Sequence, residues 1–413
     1  MRIAVLGGGM AGLAAAYWLG RSHEVLVFEA SDRLGGNIRT ETWEDCRVEW
    51  GPNGWLDNEP TTLQLAEALG IESRLVKARS CAAVRFIWRA GKLRALPSKP
   101  QQFMTSDCLP LRARLRALLE PFARRPPDGD ETVHEFAARR LGKTTADTLV
   151  DAFVTGIFAG DARRLSVRSA LPRLKAIEDQ YGSLLRGAKG RGFGPPGTLT
   201  SCDQGLEVFV QALSERVDVH LGAPWSKLEL GRYDRVVCSV PAPKAAALAD
   251  GELADHLGRI PTAPVAVVAM VFDASPSLAV PDAFGFLAPR DEGLRILGTL
   301  YDSSIFPGRA PEGRRLFRTM VGGRRDPEAV ALDDGALIEI VAKDLRRAWG
   351  FFEEPRAAKV IRHPLGIAQY ERGHAEILAA IEQVAPRWLR LAGSSYRGVS
   401  INACIKEALD WSP

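Results

Sequence analysis

The chain has 413 residues, of which 46% are hydrophobic and 25% charged, and its formal net charge at pH 7 is +4. These values are ordinary for a globular protein, and the length predicts two or three domains. So small a net charge does not indicate a nucleic-acid partner. The six cysteines form no Cys-x-x-Cys pair, the six histidines are dispersed and no long apolar run occurs, so the sequence predicts neither a metal site nor a transmembrane helix. Reduced thiols and a first strand that starts at residue 2, with no leader peptide before it, predict a cytoplasmic protein.

The first thirty residues carry a strand–helix–strand pattern with a glycine-rich turn. We predict a strand over 2–6, a helix over 13–19 and a strand over 23–29 that ends in Glu29. The glycines of the turn would allow a sharp bend, a close approach to a pyrophosphate and tight helix packing; they are Gly7, Gly9 and Gly12. The helix N-terminus then faces the phosphates, and Glu29 is placed for a ribose hydroxyl. An ordinary glycine turn is the alternative, but the agreement of strand, turn, helix and acid favours a dinucleotide site.

Two further turns point to a flavin. Residues 31–39 contain two adjacent glycines, and Arg33 and Arg39 are cations close to where cofactor phosphates should run. Directly after the acid, this segment is similar to the Arg-x-Gly-Gly segment of many FAD enzymes, although a surface loop is the alternative. Residues 48–55 form a Gly/Pro turn that either presents backbone amides and Asn53 to a planar ring or is a plain turn.

The chain then changes from strands to helices. The hairpin over 83–94 contains Arg85, which is either the outward residue of an alternating strand, as the spacing favours, or an anion clamp. Residues 97–197 are predicted to be helical, and within them five apolar residues recur at helical spacing among five arginines: Leu111, Leu115, Leu118, Leu119 and Phe122. This helix lies either on an anionic membrane surface or, as we slightly favour, within a solvated domain. The Gly/Pro-rich stretch 187–197 is a linker or a lid.

The second half of the chain returns to strands. Strands over 217–221 and 233–241 would rejoin the nucleotide-binding domain. The alternating strands that follow predict an antiparallel sheet in a second domain; they span 265–272, 284–288, 294–300 and 315–321, and a helix follows over 337–349. The C-terminal segment is predicted to form a second strand–turn–helix unit, with a strand over 387–393, a turn over 394–400 and a helix over 401–409. Its helix N-terminus could bind a phosphate or the flavin pyrimidine ring. Two such units suit a large dinucleotide such as FAD.

With these motifs, the chain resembles the oxygen-dependent, FAD-containing protoporphyrinogen oxidases of the flavin amine oxidase superfamily. The matching segments are 6–19, 32–40, 50–54, 155–174, 181–187, 298–311 and 391–405. The resemblance implies an α/β fold, α+β overall, with a Rossmann-like FAD-binding domain, an antiparallel-sheet substrate domain and an inserted helical domain. The FAD-binding domain would comprise 1–77, 206–245 and 374–413, the substrate domain 78–96, 198–205 and 246–373, and the helical, membrane-associating domain 97–197.

The resemblance also implies the site residues. The substrate would be bound by Arg85, at a propionate, and by Asn53, Gly156, Phe284, Leu287, Leu300, Phe306 and Met320. Non-covalent FAD would be bound by Gly7, Gly9, Met10, Ala11, Gly12, Glu29, Ala30, Arg33, Gly35, Gly36, Asn37, Gly51, Pro52, Asn53, Gly54, Val219, Gly393, Tyr396, Gly398, Val399, Ser400 and Ile401. Ser394 departs from the residue common at that turn, which puts a phosphate contact there in doubt.

The implied activity is the six-electron oxidation of protoporphyrinogen IX to protoporphyrin IX, with dioxygen as acceptor and hydrogen peroxide as the second product. Oxidation of coproporphyrinogen III is the nearest alternative, followed by amine oxidation and by a catalytically silent flavoprotein. Peripheral contact with the inner face of the cytoplasmic membrane, hand-over of product to a chelatase and a homodimer are further expectations. No residue beyond the flavin is expected to carry the chemistry.

Overall fold

The computed structural model describes residues 1–97, 100–188, 197–276, 278–350 and 353–410. The strands are β1 (Arg2–Leu6), β2 (Glu24–Phe28), β3 (Thr40–Trp43), β4 (Cys46–Glu49), β5 (Trp55–Leu56), β6 (Leu75–Lys77), β7 (Arg85–Arg89), β8 (Lys92–Ala95), β9 (Leu199–Cys202), β10 (Asp218–His220), β11 (Arg235–Cys238), β12 (Thr262–Asp273), β13 (Gly285–Leu287), β14 (Gly298–Leu300), β15 (Arg314–Gly322), β16 (Ala357–Ala368) and β17 (Leu389–Leu391).

The α-helices are α1 (Met10–Leu19), α2 (Pro60–Ala68), α3 (Pro100–Thr105), α4 (Leu111–Leu118), α5 (Val133–Leu141), α6 (Lys143–Thr145), α7 (Asp151–Phe158), α8 (Val167–Ala170), α9 (Pro172–Tyr181), α10 (Leu184–Ala188), α11 (Glu207–Ser214), α12 (Ala242–Leu248), α13 (Gly251–Gly258), α14 (Asp302–Ile305), α15 (Asp334–Trp349), α16 (His374–Val384) and α17 (Ile401–Leu409). A π-helical turn, Ala146–Val150, joins α6 to α7. The chain is therefore helical without a break from Lys143 to Phe158, and the helix ends there because Ala159 has a left-handed φ of +45°.

A five-stranded parallel sheet is built from segments that lie far apart in the chain. Its strand order is β10-β2-β1-β11-β17, with β1 in the centre. Helix α1 packs with α11 and α17 on one side, and α12, α13 and α16 cover the other. Because β2 and β11 flank β1 on opposite sides, the carboxyl end of β1 is the topological switch point where such sheets bind ligands.

A seven-stranded sheet forms the second layer, in the order β16-β12-β15-β14-β13-β7-β8. Helix α15 packs on one face, against residues such as Phe272, Phe286 and Phe317. The opposite face carries Val265, Val267 and Ala269 and meets β4. The sheet can pack against different partners on its two faces because successive side chains along each strand point to opposite faces.

The prediction for this sheet needs two corrections. It is not wholly antiparallel, since β13 pairs with β7 in parallel; the β7–β8 hairpin comes from before the helical segment, so no hairpin turn fixes its direction relative to β13. The prediction also missed β16, whose sequence contains Pro364 and Gly366 and does not alternate. Pro and Gly are tolerated there because β16 is an edge strand and the register shifts opposite Ala263 and Val265.

A buried ionic network joins α5, α9 and the segment after α4. Glu178, whose side chain is 2% exposed, receives ion pairs from Arg139, Arg140 and Lys175. Burial by itself would raise the pKa of Glu178, but hydrogen bonds from the three cations outweigh it and lower the pKa to about 2. Arg140 also pairs with the buried Glu120, at 3.0 Å, which ties the segment after α4 to α5.

Within the described ranges, no helix combines the length and the apolar character needed to cross a bilayer. The segment 187–197, predicted as a linker or lid, lies mostly outside those ranges. The three-domain division stays a prediction. One small sheet, β5-β9-β6, joins strands assigned to the FAD-binding segment 1–77 and to the substrate segment 198–205.

Candidate functional site

The loop between β1 and α1 leaves open space over Gly9. Gly7 has a φ of +100°, and its N–H donates to the Phe28 carbonyl at 2.8 Å, which closes the turn against β2. A Cβ on Gly12 would lie 2.0 Å from the Gly7 oxygen, so α1 packs as closely as the sequence predicts. A Cβ on Gly9 would meet nothing within 4 Å. Since α1 begins at the next residue, Met10, its free N–H groups face that space.

Glu29 follows β2 and holds the glycine loop. One carboxylate oxygen, Oε2, accepts from the Gly8 N–H at 2.7 Å. The other, Oε1, accepts from the N–H and the hydroxyl of Ser31, at 2.9 and 2.8 Å. Glu29 and the adjoining Ala30 therefore lie beside the loop, where a ribose would extend from a bound pyrophosphate.

The segment 33–39 lies against the glycine loop, but its arginines do not point at free space. Gly35 donates its N–H to the Gly8 oxygen at 2.7 Å. The Arg33 guanidinium donates to the carbonyls of Leu34, Gly36 and Ile38, so it braces its own loop rather than standing free as a phosphate cation. The guanidinium of Arg39 stacks on the Trp50 ring, 3.9 Å from its centroid. The two arginines are therefore not both free cations beside the expected phosphates.

The turn over residues 51–54 presents a buried, unpartnered amide. Gly51 and Gly54 approach other backbone closely, since a Cβ on either would lie 2.3 Å from the Asn37 oxygen or 2.4 Å from the Thr200 oxygen. Between them, the side-chain Oδ1 and Nδ2 of Asn53 are buried with no hydrogen-bond partner in the described part of the chain. An unsatisfied buried polar group costs about 1–3 kcal/mol, so Asn53 points to a ligand.

Sequence reasoning missed the groups that hold this turn. Arg318 on β15 is 1% exposed and pairs with Asp302 through two contacts of 2.6 and 3.0 Å. The same guanidinium donates to the carbonyls of Glu49 and Gly51, at 2.6 and 3.0 Å. The one available signal was an arginine at an inward position of an otherwise apolar strand. This buried ion pair fixes the backbone that carries Asn53.

His363 on β16 also lies beside the turn. Its Nε2 is 2.8 Å from the Trp50 carbonyl, and because a carbonyl only accepts, Nε2 carries the proton. Burial lowers the pKa of His363, and the nearby Arg318 and Arg33 add to that effect. His363 is therefore neutral at neutral pH. In the described residues, no three His, Cys, Asp or Glu side chains group as a metal site.

Four of the eight predicted substrate residues share one face of the seven-stranded sheet. Arg85 pairs with Gly285, which pairs with Leu300, and these three form one row across the strands. The next row contains Leu287 and Met320, on either side of Gly298. Residues that pair across neighbouring strands point to the same side. The structure thus brings together an arginine and three apolar side chains that the sequence places up to 235 residues apart.

Arg85 is an exposed cation of this face, and no carboxylate in the described ranges forms an ion pair with it. Partial burial of the side chain lowers its pKa. Its guanidinium stands 4.6 Å from the centroid of the Phe284 ring. We call the side of the sheet that carries Arg85, Leu287, Leu300 and Met320 the slot. The role of Arg85 as an anion clamp stays a prediction.

Two other basic side chains of this face are paired with acids, and a third, Arg89, donates to the Thr148 hydroxyl. Arg318 is paired with Asp302 at 2.6 Å, and Lys359 is paired with Glu41 at 2.6 Å. Across the slot, helix α7 approaches Leu287 at Gly156, where a Cβ would lie 3.0 Å from the Leu287 side chain.

Two predicted contacts need correction. Phe306 is fully buried under the turn, 3.3 Å from where a Cβ on Gly54 would lie, so it supports the turn instead of lining the slot. The Tyr396 side chain is 1% exposed and packs in the apolar core behind the parallel sheet, and its backbone N–H and carbonyl already bond to Gly393 and His374. Val219 lies on β10, beside β2.

The C-terminal turn meets the glycine loop. Gly393 has a φ of +103°, and a Cβ there would lie 3.5 Å from the Ala11 Cβ. The Ser400 hydroxyl caps α17 by accepting from the Ala403 N–H at 3.1 Å. Two helix N-termini, one at Met10 and one at Ile401, therefore flank the same region. The open space at Gly9 and the orphaned amide of Asn53 fit a ligand that extends from a diphosphate to a planar ring.

Comparison with known proteins gives this site a family context. The family described as flavin containing amine oxidoreductase matches residues 10–410. The chain is 35% identical to protoporphyrinogen oxidase of Bos taurus, covering 98% of this chain and 96% of the relative. It is 29% identical to the chloroplastic protoporphyrinogen oxidase of Nicotiana tabacum, with coverages of 98% and 84%. It is 28% identical to coproporphyrinogen III oxidase of Bacillus subtilis (strain 168), with coverages of 98% and 96%.

Solved structures agree with the fold. A protein of Exiguobacterium sp. 255-15, described as a candidate protoporphyrinogen oxidase, superimposes with a TM-score of 0.87 at 26% identity, over 99% of this chain and 97% of that one. A reduced UDP-galactopyranose mutase superimposes with a TM-score of 0.76 at 16% identity, over 99% and 94% of the two chains. The second likeness concerns the fold alone.

Proposed function

Because this chain belongs to the flavin containing amine oxidoreductase family, we propose that it is an FAD-dependent enzyme that oxidises protoporphyrinogen IX to protoporphyrin IX. The proposal rests chiefly on one observation. An exposed arginine without an acidic partner in the described residues, Arg85, stands at one end of a sheet face that is apolar at Leu287, Leu300 and Met320. Such a slot suits a flat, largely apolar ligand with carboxylates at one edge.

The residues that would bind FAD fit it. The free N–H groups at the start of α1 and the open space at Gly9 would accept the diphosphate. Glu29 would accept from a ribose hydroxyl, and the buried amide of Asn53 would find at the ring the partners that it lacks. When bound, FAD supplies a two-electron acceptor that dioxygen reoxidises with release of hydrogen peroxide.

The protein's own part in the reaction is orientation. Arg85 would bind a substrate propionate through charge-assisted hydrogen bonds. Leu287, Leu300 and Met320 would lie against the macrocycle and exclude water from it. The Arg318–Asp302 pair would keep the turn that carries Asn53 in one position. No acid–base pair is required of these residues, since they only hold the macrocycle in place.

Coproporphyrinogen III is the second candidate, since one relative carries that name. Coproporphyrinogen has four carboxylates and protoporphyrinogen has two, so the former needs more cations around its edge. Among the arginines of the slot face in the described ranges, Arg318 is paired with Asp302 and Arg89 donates to the Thr148 hydroxyl. Arg85 is the exposed arginine of this face and has no acidic partner, which supports the substrate with fewer carboxylates. Amine oxidation is disfavoured because the Tyr396 ring is buried in the core and cannot form an aromatic cage.

A peripheral membrane contact is part of the same proposal. The five apolar residues predicted as a stripe on α4 and just after it are all exposed, by 47% to 80%, while Ala113 and Ala117 face the protein. The exposed arginines Arg112, Arg124 and Arg125 flank them. An apolar stripe bordered by cations suits an anionic lipid surface, here at the inner face of the cytoplasmic membrane. Hand-over of product to a chelatase and a homodimer are further parts of the proposal.

The activity is tested with the FAD-loaded enzyme in air. We expect protoporphyrin fluorescence to rise with protoporphyrinogen IX, and three molecules of hydrogen peroxide to form for each porphyrin. Enzyme stripped of flavin and substrate left without enzyme are the controls, because porphyrinogens oxidise spontaneously. A rate no greater than that of the controls would overturn the proposal.

A further inference from the structure

Helix α7 presents an apolar face that the protein leaves uncovered. Phe153 and Ile157 are each 40% exposed, and Gly156 lies between them on the same side of the helix. These positions are spaced i, i+3 and i+4, which places them on one helical face. The remaining residues of α7 are buried, as at Ala152 and Val154. Large exposed apolar side chains on a short, otherwise buried helix indicate that an apolar ligand group binds against them.

This face borders the slot at a distance from Arg85. Gly156 touches Leu287, since a Cβ at residue 156 would lie 3.0 and 3.3 Å from the two methyl carbons of Leu287. Leu287 lies one row beyond the row of Arg85 and Gly285. Two residues along a strand span roughly 7 Å. The α7 face therefore stands at the end of the slot that lies away from the arginine.

The cations behind this face already have partners in the described residues. Arg325 pairs with Asp151 at 2.6 Å, and it also donates to the Ala288 carbonyl. Arg290 pairs with Asp161 at 2.8 Å, and Arg89 donates to the Thr148 hydroxyl. The exposed side chains of the α7 face, Phe153 and Ile157, are apolar, so a carboxylate brought against them would lose water without gaining a hydrogen bond from that face, which is unfavourable.

We propose that Phe153 and Ile157 determine substrate specificity by accepting the vinyl-bearing edge of the porphyrinogen and rejecting an edge that carries propionates. This inference rests on the proposed function, because it assigns an edge to that substrate. Protoporphyrinogen and coproporphyrinogen differ only at this edge, where two vinyl groups replace two propionates. Arg85 recognises what the two substrates share, and the α7 face recognises what differs.

The test introduces a cation at each position, as Phe153→Arg and, separately, Ile157→Arg. In the FAD-loaded enzyme we expect the ratio of kcat/KM for coproporphyrinogen to that for protoporphyrinogen to rise about tenfold or more. The visible spectrum of the bound flavin and the thermal midpoint identify any variant that fails to fold. Leu63→Arg on α2 is the matched control, because Leu63 is 36% exposed and lies outside the slot; its ratio should equal that of the wild type.

The outcomes separate this inference from the activity itself. An unchanged ratio in both folded variants, or an equal loss with both substrates, would overturn the role of α7 while leaving the proposed function in place. A wild-type enzyme that oxidises neither porphyrinogen would overturn the proposed function, and the inference with it.

Discussion

Replacing Arg85 with alanine tests how the slot binds its substrate. The guanidinium has no acidic partner in the described residues, so its removal breaks no ion pair and leaves only the contact with the Phe284 ring unmade. A hydrogen bond to a charged group contributes about 1.5–3 kcal/mol, which corresponds to a rise in KM of about 10- to 150-fold. Because a propionate lies far from the reacting carbon, it binds equally in the ground and transition states, and kcat should change little.

Steady-state kinetics with protoporphyrinogen provide the measurement. Arg85→Lys should give an intermediate KM, since it keeps the charge but loses the forked geometry. Arg259→Ala, at an exposed arginine outside the slot, is the matched control and should leave KM unchanged. A wild-type KM in Arg85→Ala would remove this residue from substrate binding. A fall in kcat at unchanged KM would mean that it acts in the chemical step instead.

Three further predictions concern the cofactor loop, the helical segment and stability. Gly12→Ala would force its Cβ to 2.0 Å from the Gly7 oxygen, so we expect protein purified without flavin; Gly258→Ala, where a Cβ meets nothing within 4 Å, should retain it, as the ratio of visible to ultraviolet absorbance will show. Leu115→Glu should abolish co-sedimentation with anionic vesicles while leaving activity in detergent intact, and full sedimentation of this variant would refute the membrane contact. Glu178, with its pKa lowered from 4.5 to about 2, stabilises the fold fully above pH 4.5 and loses that contribution as the pH falls through 2. Glu178→Gln should therefore lower the free energy of unfolding by about 3 kcal/mol at neutral pH and flatten its dependence on acid, and an unchanged acid profile would contradict this.

The cofactor loop could be predicted from the sequence because its signals are local. The glycines at 7, 9 and 12 and the acid at 29 lie within thirty residues, and each glycine has a separate steric reason. The helix over Ile401–Leu409 was predicted with its observed bounds because Ser400 is a strong cap and the apolar spacing is regular. Local chemistry of this kind requires no knowledge of distant contacts.

The slot could not be derived in the same way. Arg85, Leu287 and Met320 share a face only because β7, β13 and β15 pair across the chain, and strand pairing over such separations leaves no local pattern. Spacing alone therefore favoured a solvated Arg85. The Arg318–Asp302 pair was missed because the inward position of Arg318 on an apolar strand signals a buried charge but does not say which acid pairs with it.

The α4 stripe could be predicted only in part. Its apolar spacing predicted a helix correctly, but the same pattern fits a helix of a solvated domain and a helix on a lipid surface. The tertiary structure adds that Ala113 and Ala117 are buried while Leu115 and its neighbours are exposed, and the lipid contact stays a prediction.

The most direct test of the account is anaerobic reduction of the bound flavin. The FAD-loaded protein is mixed, in the absence of dioxygen, with protoporphyrinogen IX, coproporphyrinogen III or a polyamine, and the visible absorbance of the flavin is followed. The account predicts rapid bleaching with protoporphyrinogen, slower bleaching with coproporphyrinogen and none with the polyamine, followed by recovery of colour when air is admitted. A flavin that no porphyrinogen bleaches would contradict it.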